Sequence, residues 1–442
     1  MSNPRRTTVV HFVHRWLPQT ETWLYNQVRF LPPRIENHIV CKGTANLDQF
    51  SVPNIHALDE APFWRQVWDR QMTKLGLRRH LGFLVEKARH HQACILHSHF
   101  GNAGWTNLGA ARQARLKHAV TFYGYDLSQL PKSDPRWLRR YLEMFAQVDR
   151  VLCEGPHMGR CLAALGCPEE KIRVHHLGVS TDEISFRPRT WNSSGPLRVL
   201  LAASFREKKG IPYALEALGQ LQREMPLEIT IIGDASKQPA SQKEKEKILA
   251  VVERFNLRSR IRFLGFQPHA VLFAEAYQHH LFISPSVTGS EGDTEGGAPV
   301  SIIEMAATGM PVVSTTHCDI PSVIRHGVTG FLAAERDVDG LVAGLKWWTE
   351  RPVAWATVLE AGRKHIEQEY DAARQGGRLA AIYEELLTPC SRAPMPAPEL
   401  KIAAIVSVFD RPRAIIGTPS VSFRAPTVPA RHQPPALPPG PH

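Results

Sequence analysis

The sequence predicts an α/β protein built on two parallel sheets. Three observations carry this. Short apolar runs at 7–13, 119–122, 197–201 and 281–283 read as buried strands. Stretches with helical spacing alternate with such runs as far as residue 387. A polar segment at 187–196, RPRTWNSSGP, divides the alternation into two halves. Sheets of this kind bind ligands at the C-terminal edges of their strands.

At 442 residues there is room for two such domains and additional segments. A hydrophobic content of 43% with 21% charged residues is that of a soluble globular protein. No run reaches the roughly 18 apolar residues of a bilayer-spanning helix. The first residues, MSNPRRTTVVHFVHRWLP, lack the long apolar core of a signal peptide. Seven scattered cysteines form no C-x-x-C pair, so neither a zinc nor a disulfide framework is expected. A reducing cytoplasm is the expected compartment. The net charge of +11 is uneven: residues 1–184 hold 24 Lys and Arg against 16 Asp and Glu. Such a half suits anionic lipid head groups, a phosphate-bearing substrate or nucleic acid, or is merely a solvated basic surface. No nucleic-acid-binding module accompanies it.

In chain order, 7–13 is the first strand, followed by a loop at 17–23 and a helix at 24–31, which Thr20 is suited to cap. Two short strands are expected at 38–41 and 55–58. Residues 61–92 combine Phe63, Trp64, Val67, Trp68, Leu77, Leu81 and Leu84 with many basic residues. They suit amphipathic helices, either with the apolar face in the core or as a membrane-surface patch with Trp anchors. The strand at 94–96 ends at His97-Ser98-His99, with no acidic or Cys residue nearby to complete a metal site. The strand at 119–122 ends at Tyr123-Gly124-Tyr125-Asp126. A phenol there can hydrogen-bond a ligand but is a poor base near neutral pH. A strand at 148–153 leads through Glu154-Gly155 into a helix reaching 165.

Beyond the linker, the strand at 197–201 runs into a loop holding Arg206, Lys208 and Lys209, then a helix at 211–221. That loop either grips a pyrophosphate or is a solvated charged loop. Further strands fall at 228–232 and 261–266, and helices at 241–255, 338–349, 352–369 and 373–387. The organising stretch is 284–331. After the strand at 281–283, a Gly- and acid-rich loop carries Glu291, Asp293 and Glu295. Gly296-Gly297 gives freedom in φ, Pro299 fits the first position of a helix, and Gly309 suits its C-terminal cap. Backbone N–H groups at such a loop favour anions or polar oxygens. Glu304, flanked by Ile302, Ile303 and Met305, is poorly placed for an idle surface charge.

This segment, TEGGAPVSIIEMAATGMPVVSTTHCDIPSVI, resembles the donor-site signature of retaining GT-B glycosyltransferases of the group 1 or family 4 type. Its wording is similar to the exopolysaccharide branch, of colanic acid type. The chain has eight residues between Glu295 and Glu304 where the family has seven, and Ser322 where the family usually has Glu. Lys209-Gly210 matches the family's diphosphate-holding loop, but Ser204 replaces the usual arginine, leaving Arg206 as its substitute. The resemblance covers about residues 8–388. It implies a GT-B fold: two Rossmann-like domains facing across a cleft. These are an N-terminal domain at 1–186, a linker at 187–196, a donor domain at 197–370 and a helix at 371–389 crossing back. The Pro-rich basic tail at 390–442 is expected to be disordered, with IAAIVSVF at 402–409 a strand or contact helix.

The resemblance further implies transfer of a hexose from a nucleotide diphosphate sugar to a saccharide acceptor, lipid-linked at the cytoplasmic membrane face, with retention. Arg206, Lys209 and Glu295 would be catalytic. Gly296, Gly297, Ala298, Pro299, Val300 and Glu304 would bind the donor. Thr20, Glu21, His99, Tyr123 and Asp126 would line the acceptor or sugar side. With no Asp-x-Asp motif, neither metal nor cofactor is expected. The rival reading is a non-catalytic GT-B protein serving as a membrane-surface or assembly partner. A nicotinamide enzyme is disfavoured, because no G-x-G-x-x-G follows the first strand.

Overall fold

The computed structural model describes residues 6–17, 22–48 and 50–388. Thr20, Glu21 and the segment 402–409 lie outside the described residues.

Two parallel sheets carry the fold, as the alternation predicts. The strands of the first are β1 (Thr7–Phe12), β2 (Ile35–Cys41), β3 (Ile55–Ala57), β4 (Ile95–His99), β5 (Lys117–Thr121), β6 (Arg150–Cys153) and β7 (Ile172–Val174). Their order across the sheet is β3-β2-β1-β4-β5-β6-β7. The second sheet contains β8 (Leu197–Ala202), β9 (Leu227–Ile232), β10 (Ile261–Gly265), β11 (Leu281–Ser284), β12 (Val312–Thr315) and β13 (Phe331–Ala333). Its order is β10-β9-β8-β11-β12-β13. Both sheets thus reverse direction beside their first strand, which opens a crevice at the strands' C-terminal ends.

The helices that matter for the site are α1 (Thr22–Arg29), α2 (Phe63–Lys74), α3 (Gly82–His90), α4 (Pro156–Ala164), α5 (Ile211–Leu221), α6 (His269–Ala276), α7 (Val300–Ala307) and α8 (Ala372–Leu387). One correction concerns Pro299, which is the residue before the helix rather than its first member; its ψ of 129° is extended. Gly309, at φ +80°, does follow the end of α7.

For α2, of the two arrangements left open by the sequence, the aromatic face is the outward one: Phe63 is 77% and Trp64 67% exposed. The inward position belongs to Asp69, which is fully buried. Its carboxylate accepts from the Gly82 and Phe83 amides at 2.6 and 3.0 Å and from Arg78 at 2.5 Å. An acid at the N-terminus of α3 satisfies amides that the helix leaves unpaired. The helical spacing is legible in the sequence, and this buried polar anchor decides which face turns inward.

The linker is docked rather than slack. Arg189 is buried and donates to the carbonyls of His279, Thr308 and Ala276 at 3.2, 3.0 and 2.9 Å. The helix α8 returns to the first sheet, where Leu379, Ala380, Tyr383 and Leu386 join Val9, Ile35, Ile95, Ala119 and Leu152 in one core. The Tyr383 hydroxyl is 2.6 Å from His97 Nδ1. Leu379 is fully buried. Leu379→Ala is therefore expected to lower the unfolding free energy by about 2–5 kcal/mol, read from urea denaturation of the full chain.

Candidate active site

The loops after β5, β6, β8, β11 and β12 converge between the two halves. At the end of β8, a short turn at Glu207–Lys209 presents the lysines. Gly210 closes the turn at φ +63°, and a Cβ there would lie 1.9 Å from the Pro285 carbonyl oxygen. Glycine is thus required for this turn to pack against the loop that follows β11.

That second loop carries the carboxylates. Lys209 Nζ lies 2.9 Å from the Glu295 carboxylate. Lys208 Nζ lies 3.3 Å from Asp293, 3.8 Å from Glu295 and 2.8 Å from the Thr294 carbonyl. Arg206 pairs with Asp293 at 2.6 Å. The Ser286 hydroxyl donates to Glu295 at 2.9 Å. Burial pushes the Glu295 carboxyl up, but Lys209 and Lys208 outweigh it and hold it at about 2. Of the three cations, the Arg206 side chain is 43% exposed while that of Lys208 is 8% exposed. The resemblance singled out Arg206 and Lys209; the structure turns Lys208 inward beside them.

The Glu295 amide donates to His317 Nε2 at 3.1 Å, and His317 Nδ1 lies 2.8 Å from Glu335. This fixes the imidazole tautomer: Nδ1 carries the hydrogen and Nε2 the lone pair. His317 and Glu335 closely follow β12 and β13, so the strand ends in the sequence were the available signal.

The opposite wall is made by the first half. Gly124 and Gly296 meet backbone to backbone: a Cβ on Gly296 would fall 2.3 Å from the Gly124 Cα. Gly296 also holds φ at +80°. A Cβ on Gly297 would fall 1.9 Å from Glu154 Oε2. Burial pushes the Glu154 carboxyl well above the usual carboxylate range, with Asp319, Asp126 and Glu295 adding to the effect. Glu154 faces the loop after β11, a residue that the sequence reading passed over at the end of β6. Asp319 accepts from the His157 and Met158 amides at 2.7 and 3.2 Å, so an acid of the second half caps α4 of the first.

Two residues expected on the sugar side are buried behind it. Asp126 is fully buried, accepting from the Gly101 and Tyr123 amides at 2.6 and 2.8 Å. Burial raises its carboxyl to about 7 despite these hydrogen bonds. It ties the Gly101 and Tyr123 loops together. His99 is also fully buried, 2.8 Å from the Tyr123 hydroxyl and 3.0 Å from His11. Tyr123 is itself 4% exposed and stacks near Trp23, with ring centroids 4.1 Å apart. The Tyr123 phenol thus points inward at His99, while the following Gly124 and Ser128 meet the loop after β11.

In the second half, α7 begins at Val300, after Gly297, Ala298 and Pro299, and places Glu304 in the crevice. Glu304 is buried and lies 2.8 Å from His269 Nε2, at the start of α6. His269 was not anticipated from sequence.

Comparison with known proteins identifies this architecture. Residues 196–350 match the family described as "Glycosyl transferases group 1", and residues 20–183 match "Glycosyltransferase Family 4". The chain is 31% identical to the amylovoran biosynthesis glycosyltransferase AmsK of Erwinia amylovora over 65% of its own length and 69% of that protein. The chain belongs to the group 1 glycosyltransferases of family 4. It is 30% identical to the putative colanic acid biosynthesis glycosyltransferase WcaL of Salmonella typhimurium, over 66% of this chain and 71% of that protein. Among solved structures, Anabaena HepE with UDP and glucose superposes with a TM-score of 0.69 at 16% identity, covering 86% of this chain and all 100% of HepE. Sucrose-phosphate synthase from Thermosynechococcus elongatus gives 0.66 at 16% identity, over 86% of this chain and 99% of that one. The fold of this glycosyltransferase is GT-B, as the resemblance implied.

The His269–Glu304 pair makes a pH prediction. The hydrogen bond that His269 donates to the Glu304 carboxylate raises the His269 pKa above 6.5, against the effect of burial. A raised folded-state pKa contributes stability that is complete below the unfolded value and is lost as pH rises through the folded one. In Glu304→Gln the His269 midpoint should fall to 6.5 or below, as read by NMR titration of the imidazole C–H signals. The pH-dependent loss of melting temperature above 6.5 should shrink with it.

Proposed function

We propose that this glycosyltransferase moves a hexose from a nucleotide diphosphate sugar to a saccharide acceptor, with retention at the anomeric carbon, in exopolysaccharide or cell-surface glycan biosynthesis. The observation that carries the reading is the convergence of Lys208 and Lys209 on Glu295 in the crevice. Two cations held together by the protein's own carboxylates form a ready site for a more strongly anionic diphosphate. On donor binding the phosphates take over the ammonium groups, and Glu295 turns to the sugar hydroxyls. Charge developing on the departing diphosphate is then met by Lys208 and Lys209, with Arg206 at the rim, rather than by a metal. Glu295 is tied by Lys209 and Ser286, which makes it a poor nucleophile and suits it to positioning. Glu304 accepts from the ribose hydroxyls after displacing His269, and the amides of Gly296 to Val300 face the sugar. Glu154, against Gly297, is placed to hydrogen-bond a sugar or acceptor hydroxyl. The complexes of HepE with UDP and UDP-glucose, and the names of AmsK and WcaL, support this reading of donor and pathway.

We assign the acceptor to the membrane surface on a separate observation. Beside the exposed Phe63 and Trp64, Trp68, Leu75 and Leu77 are also exposed. They share the segment with exposed Arg70, Lys74 and Arg79. Aromatic anchors among cations suit the interface of an anionic bilayer. None of the described helices is long and apolar enough to cross a membrane.

Three measurements test this. Lys209→Ala should lower kcat by roughly a hundredfold or more, the scale of one lost charge-stabilising donor. Arg206→Ala, at a more exposed position, should cost clearly less, and turnover should survive EDTA. Equal wild-type turnover in both variants would remove the leaving-group role. In calorimetry, Glu304→Ala should weaken the free nucleotide and Glu295→Ala mainly the nucleotide sugar, each by about ten- to a hundredfold. Paired Trp64→Ala and Trp68→Ala substitutions should reduce sedimentation with anionic vesicles while leaving transfer to a soluble acceptor intact.

A further inference from the structure

Away from the crevice, on the face of the first sheet covered by α3, three imidazoles meet. His38 lies in β2 and His56 in the neighbouring edge strand β3. The β2–β3 register sets Val40 opposite His56, so the His56 ring shares a face with Val40 and with His38 two residues before it. His91 caps the C-terminus of α3 and lays its ring over His38, with centroids 3.8 Å apart. Its centroid is 4.8 Å from that of His56. Nitrogens of all three residues lie within 4.8 Å of one another.

We infer that His38, His56 and His91 form a binding site for a divalent transition metal of the imidazole-preferring class: zinc, copper, nickel or cobalt. Two details support this beyond proximity. The first is spacing. His38 Nδ1 and His56 Nε2 stand 3.1 Å apart. Two nitrogens each about 2.0–2.1 Å from a tetrahedral metal are separated by about 3.3 Å. The second is orientation. His38 Nε2 lies 3.3 Å from Glu36 Oε1. A carboxylate on that nitrogen keeps its hydrogen there and leaves Nδ1 with the lone pair that faces His56 Nε2. Carboxylates placed in this way behind a ligating histidine fix its tautomer and raise its basicity.

The other histidine cluster, His11, His97 and His99, differs in this respect. His97 is engaged on both nitrogens, by Tyr383 at 2.6 Å and Thr121 at 2.7 Å. His99 is engaged by Tyr123 and His11. Those rings form a closed hydrogen-bonded ladder, whereas neither nitrogen of His91 has a hydrogen-bond partner among the described residues.

The inferred site ties the C-terminus of α3 to the edge of the sheet, with solvent able to supply the remaining ligand. The test uses tag-free, EDTA-stripped full-length protein titrated with Co²⁺, followed by visible d–d absorption, and with Zn²⁺ by calorimetry. The expected result is one ion per chain with four-coordinate Co²⁺ bands. His91→Ala and His56→Gln, both at partly exposed positions, should abolish the bands while circular dichroism and nucleotide binding are unchanged. Glu36→Gln should weaken binding by about ten- to a hundredfold. The inference is overturned if neither ion binds. It is equally overturned if His91→Ala and His56→Gln both keep wild-type stoichiometry and affinity, which would place the ion elsewhere among the chain's 21 histidines.

Discussion

The active crevice depends on one electrostatic arrangement: two lysines at the end of β8 holding two carboxylates on the loop after β11. Asp293 and Glu295 sit in a glycine-rich loop that has no regular structure of its own to fix it. Lys208, Lys209 and Arg206 supply that fixation. Once the loop is held, the Glu295 amide reaches His317, Gly296 reaches the backbone of Gly124, and α7 starts where Glu304 faces His269. Burying charges of both signs is costly unless geometry and hydrogen bonds are good. Here Ser286 and the Thr294 carbonyl complete the set. Under the proposed function the same arrangement would make the site responsive, because a donor diphosphate would compete for the cations that order the loop.

Much of the fold was legible because buried parallel strands and amphipathic helices write their periods directly into the chain. The helix at 211–221 and the strand ending at Ser284 fell where the apolar pattern placed them. Less was legible wherever a side chain's direction depends on a distant partner. The aromatic face of α2 turned outward because Asp69 is claimed by the amides of α3. Lys208 is more buried than Arg206 because the turn at 207–209 aims it at Asp293 and Thr294, whose place is set by the following sheet crossing. Asp126 and His99 looked like ligand contacts by motif, yet their oxygens and nitrogens are consumed by backbone amides, Tyr123 and His11.

The interior of the first half is unusually rich in imidazole, and burial decides its chemistry. His11 is held at about 3 by burial, and His97 and His99 fall well below the ordinary value for the same reason. These rings are therefore neutral donors and acceptors that orient Tyr123 and α8. They are not proton carriers at pH 7.

The returning helix α8 bears on how the protein is made. His97 and Tyr383 touch across 286 residues, and Arg34 and Glu384 across 350. The first sheet leaves the ribosome early, yet one of its faces stays uncovered until the last helix has been synthesised. Contacts of such long sequence separation form slowly, because loop closure precedes any gain from packing. The second half, whose own core spans Trp191 to Leu359, can close first. The nascent amino-terminal half is then the aggregation-prone intermediate, and chaperone dependence during translation should be concentrated there.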